Sequence, residues 1–147
     1  GGTMTTTQRL GTGDCASSGY FGDFYYFGVP AGASIAASVT TTAFNPYVAI
    51  WKDSPNERQS FSNGTTTAAT SFFNTGSSAL YYVYVSSFTA GGAGAYSVSF
   101  TVSYPSQADT QADRAVWMAP KNFMREVPTR EALEAAVRRD AALRRPR

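Results

Sequence analysis

Residues able to do chemistry are few in this chain, and their scarcity is the first constraint. There is no histidine, so the usual general base near neutral pH is missing. A single cysteine, Cys15, leaves no partner for an intrachain disulfide and no thiolate metal cluster. A free thiol is expected there. Any Ser or Thr nucleophile would need Lys52 as its base, and no spacing supports that arrangement. Asp14, Asp23 and Asp53 could offer oxygens to calcium. Asx residues more commonly close their own turns, and that reading is favoured over calcium. The chain is therefore expected to be no enzyme and to carry no cofactor.

Aromatic residues are the remaining candidates. Phe24, Tyr26, Trp51, Tyr82 and Tyr84 fall at alternate positions of strand-like runs. Exposed aromatic patches rimmed by polar groups mark interaction sites. The same face could instead be covered by the chain's own tail or lead-in. Trp117, Met118, Phe123 and Met124 are placed to cover something, on this chain or on a neighbour. Phe24, Tyr26, Trp51, Tyr82, Tyr84, Trp117 and Phe123 are thus the candidate binding residues.

The elements that must position them read as β-strands. Asp23–Gly32 is an aromatic and β-branched run stopped by Pro30-Ala31-Gly32, a strand entering a tight turn. Similar runs follow at roughly 33–42, 47–52, 58–62, 67–74, 80–87 and 94–104. Turn chemistry separates them, as at Asn45-Pro46, Asn63-Gly64 and Gly91-Gly92. Period two puts Tyr25, Phe27, Val29, Ile35, Val39, Val48, Ile50, Tyr81, Val83, Val85, Tyr96, Val98, Phe100 and Val102 on one face, the predicted core. Residues 1–22 are polar and Gly-rich, a loose lead-in with at most one edge strand. They do not resemble a secretion signal.

Charge divides the chain near Tyr104. Before it stand three basic and four acidic residues; from Pro105 onward, nine basic and six acidic. Residues 105–128 read as a linker and docking segment, and 129–145 as a helix capped by Thr129. Leu133, Ala136, Val137 and Ala141 line one side of that helix. Arg138, Arg139, Arg144 and Arg145 suit the negative end of its dipole on a solvated face. Acidic residues interleave with these arginines, so nucleic acid is not an expected partner. No apolar run is long enough to span a membrane.

Three motifs in order carry a resemblance. They are Asp23-x-Tyr25-x-Phe27-x-Val29-Pro-Ala-Gly32 with Ser34-Ile35, then Asn45-Pro-Tyr-Val-Ala-Ile-Trp-Lys-Asp53, then Leu80–Val85 with Gly91-Gly92-x-Gly94-x-Tyr96-Ser-Val98. Over residues 20–103 the chain resembles bacterial pre-peptidase C-terminal domains, related to the collagen-binding domains of collagenases. The resemblance implies an all-β, jelly-roll-like antiparallel sandwich over 23–104; the extended tail and helix after it lie outside the family pattern. It also implies a non-catalytic, extracytoplasmic bacterial protein. Asn45 stands where the family often has Asp, which counts against calcium. The expected function is a subunit of a surface filament or envelope complex, with other protein subunits as partners. The alternative is a collagen- or polysaccharide-targeting module processed from a secreted hydrolase.

Overall fold

The computed structural model describes residues 2–11, 15–17, 19–103 and 129–144. Nine strands come first: β1 (Gly2–Leu10), β2 (Cys15–Ser17), β3 (Tyr20–Val29), β4 (Ser34–Thr40), β5 (Pro46–Lys52), β6 (Glu57–Asn63), β7 (Thr67–Phe73), β8 (Ala79–Ser87) and β9 (Gly94–Ser103). Among the described residues one helix, α1 (Arg130–Arg144), follows. The strands form two antiparallel sheets, ordered β1-β9-β4-β7 and β2-β3-β8-β5-β6. Only the β2–β3 and β5–β6 links join neighbours within one sheet. The other connections after β2 cross between the sheets, giving the jelly-roll-like sandwich expected.

All fourteen residues of the predicted core lie between the two sheets, joined by Leu10, Ala33, Ala37, Phe44 and Ala68. Period two explains this, since each strand offers every second side chain to the opposite sheet. Phe100 sits at the centre, with the rings of Tyr25 and Phe27 each 5.0 Å away. Asp23 is not a turn residue. It is buried at the margin of this core, where the Tyr96 hydroxyl donates to it at 2.5 Å. The Tyr25 and Tyr96 hydroxyls lie 2.6 Å apart.

The lead-in differs most from expectation. Residues 2–10 are a full edge strand paired with β9 from Gly2↔Val102 to Leu10↔Gly94, and a second short strand, β2, pairs with β3. The physical cause is the threonine run: β-branched residues suit extended backbone, and Met4 turns inward to pack on the core. The Thr3 hydroxyl lies 3.1 Å from that of Thr101, and Thr5 lies 2.9 Å from Ser99. The linker, with Trp117, Met118, Phe123 and Met124, lies outside the described residues, as does Asp14.

The turns that hold the sheets in register use few residues. Gly32 takes φ of 80°, which an L side chain rarely adopts. Its amide donates to the Asn74 carbonyl at 2.8 Å. The buried Asn74 amide donates back to the carbonyls of Val29, Pro30 and Ser77. One side chain thus ties the β3–β4 turn to the β7–β8 turn.

Candidate functional site

The outer face of the five-stranded sheet is the unusual surface. Antiparallel sheets commonly turn polar residues outward. Here the registers place Phe24 beside Tyr84 and Tyr84 beside Ala49. The next row is Tyr26, Tyr82 and Trp51, and the row before is Gly22, Ser86 and Tyr47. Small residues alternate with large ones, so the rings spread into the gaps. Gly22 is required: a Cβ there would come within 2.3 Å of Cε1 of Tyr84. Phe24 and Tyr84 stack at 5.1 Å, and Trp51 lies parallel to Tyr82 at 6.2 Å.

Helix α1 covers this face. Thr129 caps it as expected, its hydroxyl accepting from the Ala132 amide at 3.1 Å. Ala136, Val137, Asp140, Ala141 and Arg144 are buried. Ala136 and Val137 join Phe24, Tyr26, Tyr47, Ala49, Trp51, Tyr82 and Tyr84 in a second apolar cluster, separate from the core. All five of the aromatic residues singled out on this face are therefore together, and all are buried, at 1–7% exposure. Their cover is the chain's own helix.

Two charged side chains lock the helix in place. The Trp51 indole N–H donates to Oδ2 of Asp140 at 2.7 Å. Nε of Arg144 lies 3.0 Å from Oδ1 of Asp140, an ion pair without the alignment of a hydrogen bond. The other Arg144 nitrogens are directed by β8: Nη2 donates to the Tyr84 hydroxyl at 2.9 Å, and Nη1 donates to the Ser87 carbonyl at 2.7 Å. The guanidinium also lies over the rings of Tyr20 at 3.9 Å and Tyr47 at 4.5 Å. Aromatic faces attract cations electrostatically, more strongly when water is excluded. The solvated, dipole-complementing position expected of Arg144 is not the one it takes. Arg144 is instead buried, because its position places it on the same side of the helix as Val137 and Asp140.

Burial dominates the electrostatics. It pushes the Asp140 carboxyl above the ordinary aspartate value of 3.8, against the pull of Arg144 and the Trp51 N–H. It also pushes the Tyr84 hydroxyl up to about 12, with Arg144 opposing, and raises Tyr47 and Tyr82. Asp53, in the turn after β5, is raised by burial too, and Arg139 partly offsets this. A bulge between β5 and β6 sets Arg58 opposite Trp51. From there its Nη1 donates to the Tyr47 hydroxyl at 3.2 Å.

Sequence reasoning missed Tyr20, Tyr47, Asp140 and Arg144 as site residues. Tyr47 was within reach, since it shares the period-two face of Trp51. Asp140 and Arg144 sit four and eight positions after Ala136, the spacing of one helix face. Among the described residues, no group of three His, Cys, Asp or Glu stands close enough to share a metal ion. The arrangement can hold a helix by shape, by one buried ion pair and by directed hydrogen bonds.

No protein-family model and no curated protein matches the chain. Solved structures do match it. The pre-peptidase C-terminal domain of a collagenase from Bacillus anthracis is 22% identical, with a TM-score of 0.51, over 67% of this chain and 88% of that one. PliG of Aeromonas hydrophila, a periplasmic inhibitor of g-type lysozyme, is 11% identical with a TM-score of 0.50, over 69% of this chain and 86% of that one. The Yersinia pseudotuberculosis-derived mitogen is 11% identical with a TM-score of 0.51, over 74% of this chain and 92% of that one. At such identities the likeness is one of fold. The chain has an all-β sandwich fold similar to that of a pre-peptidase C-terminal domain. Within the described residues, no helix is long and apolar enough to cross a membrane.

Proposed function

We propose that this chain is a non-catalytic, extracytoplasmic bacterial subunit that joins other protein subunits in a surface filament or envelope complex. The observation that carries this reading is the docked helix. An aromatic sheet face receives a helix through Asp140 and Arg144, both buried and both met by groups of the sheet. A buried ion pair adds little net stability over apolar packing, and here both charges meet directed partners on the sheet. That is the chemistry of recognition. The fold is shared with a pre-peptidase domain, a lysozyme inhibitor and a mitogen, which supports a role in binding.

A collagen- or polysaccharide-targeting role through Trp51 and Tyr82 would first require α1 to leave, since these residues are 3% and 2% exposed. The assembly reading is supported by the face as it stands, filled by a protein helix. Its test is the state of the native chain in its source. Fractionated cells should yield it outside the cytoplasm, in a particle several times the 15.7 kDa of one chain. A free monomer in the cytoplasmic fraction would overturn the reading.

A further inference from the structure

We propose that the aromatic outer face accepts helix α1 from a second copy of this chain, so that copies join by exchanging their C-terminal helices. This rests on the reading of the face as a protein-recognition site and names its partner.

Among the described residues, the contacts that recognise the face come from the helix. The side chains that enter the face are Ala136, Val137, Asp140, Ala141 and Arg144. The groups that receive the charged pair are Trp51, Tyr84, Ser86 and Ser87, with the rings of Tyr20 and Tyr47. None of these contacts depends on which chain delivers the helix. Reach is also sufficient. Ser103 and Thr129 are separated by the 25 residues 104–128. Covalent geometry lets that length extend to roughly 80 Å, whereas a ten-residue strand spans only about 33 Å.

A chain whose helix has left is incomplete on both sides. Six aromatic side chains of the face would meet water, and a free 15-residue helix is marginal by itself. Two such chains complete each other. Reciprocal exchange closes a two-fold dimer, and one-way donation builds an open chain of subunits. The rim supports a second sandwich nearby. Phe61 and Phe88 are 49% and 40% exposed, and their rings flank Tyr47 at 6.3 and 6.5 Å, beside the docked guanidinium. Leu143, the neighbour of Arg144, is 52% exposed. In dilute solution the chain's own helix wins, because a tethered ligand has an effective concentration on the order of millimolar. Exchange belongs where copies are already held close.

Two full-length variants test this. Val137→Asp puts a charge against the aromatic face, which disables the helix and leaves the face open. Ala49→Glu puts a charge into the apolar cluster that Ala136 and Val137 join, so the face is blocked and the helix is free. Sedimentation should show wild type and each variant alone as monomers at micromolar concentration. Their equimolar mixture, at a few hundred micromolar in order of magnitude, should form a one-to-one heterodimer of about twice the mass. Isotope labelling of the helix-disabled partner should return its Trp51 indole N–H resonance to the wild-type position. Trp51→Ala replaces Ala49→Glu if circular dichroism shows the latter unfolded. A folded mixture that stays monomeric overturns the exchange. If instead the Trp51 resonance of wild type matches that of the helix-disabled variant, α1 does not dock at all, and the recognition reading itself fails.

Discussion

The two apolar clusters of this molecule are built by different rules. Between the sheets, burial is almost wholly apolar, and its polar content includes the Tyr25–Tyr96–Asp23 chain at one margin and the Tyr81 hydroxyl donating to buried Asn74. Over the outer face, the cover is a helix whose fully buried apolar side chains are small: Ala136, Val137 and Ala141. Apolar burial is non-directional and scales with area. It can close a sandwich, but three such small side chains place a helix only loosely. Directed bonds from Asp140 and Arg144 do the placing. The inter-sheet core therefore closes the sandwich, and the outer cluster fixes where the helix sits.

The largest expected effect tests the first half of that contrast. Phe100 is fully buried between Tyr25 and Phe27. Phe100→Ala should cost about 3–5 kcal/mol of global stability, from lost transfer energy and the cavity left behind. Urea denaturation followed by far-ultraviolet circular dichroism measures it, and helix and sheets should be lost together. Release of α1 while the sheets persist would break the separation drawn between the clusters.

Arg144→Ala tests the second half and should act locally. Asp140 would keep its Trp51 hydrogen bond but lose its counter-charge while buried, a cost of about 3 kcal/mol against helix docking. Hydrogen exchange should then quicken along α1 and stay slow in β3, β5 and β8. Adding Asp140→Ala should restore part of the loss, since the orphaned carboxylate goes. Arg144→Lys should not, because an ammonium lacks the planar fork that meets Asp140, Tyr84 and Ser87 together. Equal acceleration in the sheets would mean that helix and sandwich form one cooperative unit.

The same contrast explains what the sequence made legible. Strand alternation named the inter-sheet core because burial between two sheets imposes period two, and no partner need be known. The outer aromatic residues from Phe24 to Tyr84 were legible as a set for that reason too. Their cover was not. Arg144 and Asp140 look like ordinary helix surface residues until the face beneath them is known, because charge is read as solvation by default. The β1 strand was legible only as a single edge strand somewhere in the lead-in, for a simpler reason. Thr5-Thr6-Thr7 has strand propensity without apolar alternation, and only Met4 and Leu10 mark its inner side.

The smallest expected effect concerns pH and decides which force rules the site. Burial raises the Asp140 carboxyl above 3.8, while Arg144 and Trp51 pull it down. A carboxyl raised on docking is protonated in the docked state over a range where the undocked state is ionised. Docking then takes up a proton, so it weakens as pH rises from about 3.8 towards the raised value. Above that value the dependence ends. Asp140→Asn should abolish it, since the amide oxygen still accepts from Trp51 but does not titrate. The Trp51 indole N–H resonance, followed through an acid titration of both proteins, reports docking directly. Carboxyls elsewhere, Asp53 beside Arg139 among them, contribute equally to both curves and cancel in the difference. A difference of opposite sign, with docking stronger as pH rises, would show that the attraction of Arg144 outweighs the cost of burying the charge. The outer cluster would then be stabilised by its ion pair as well as positioned by it.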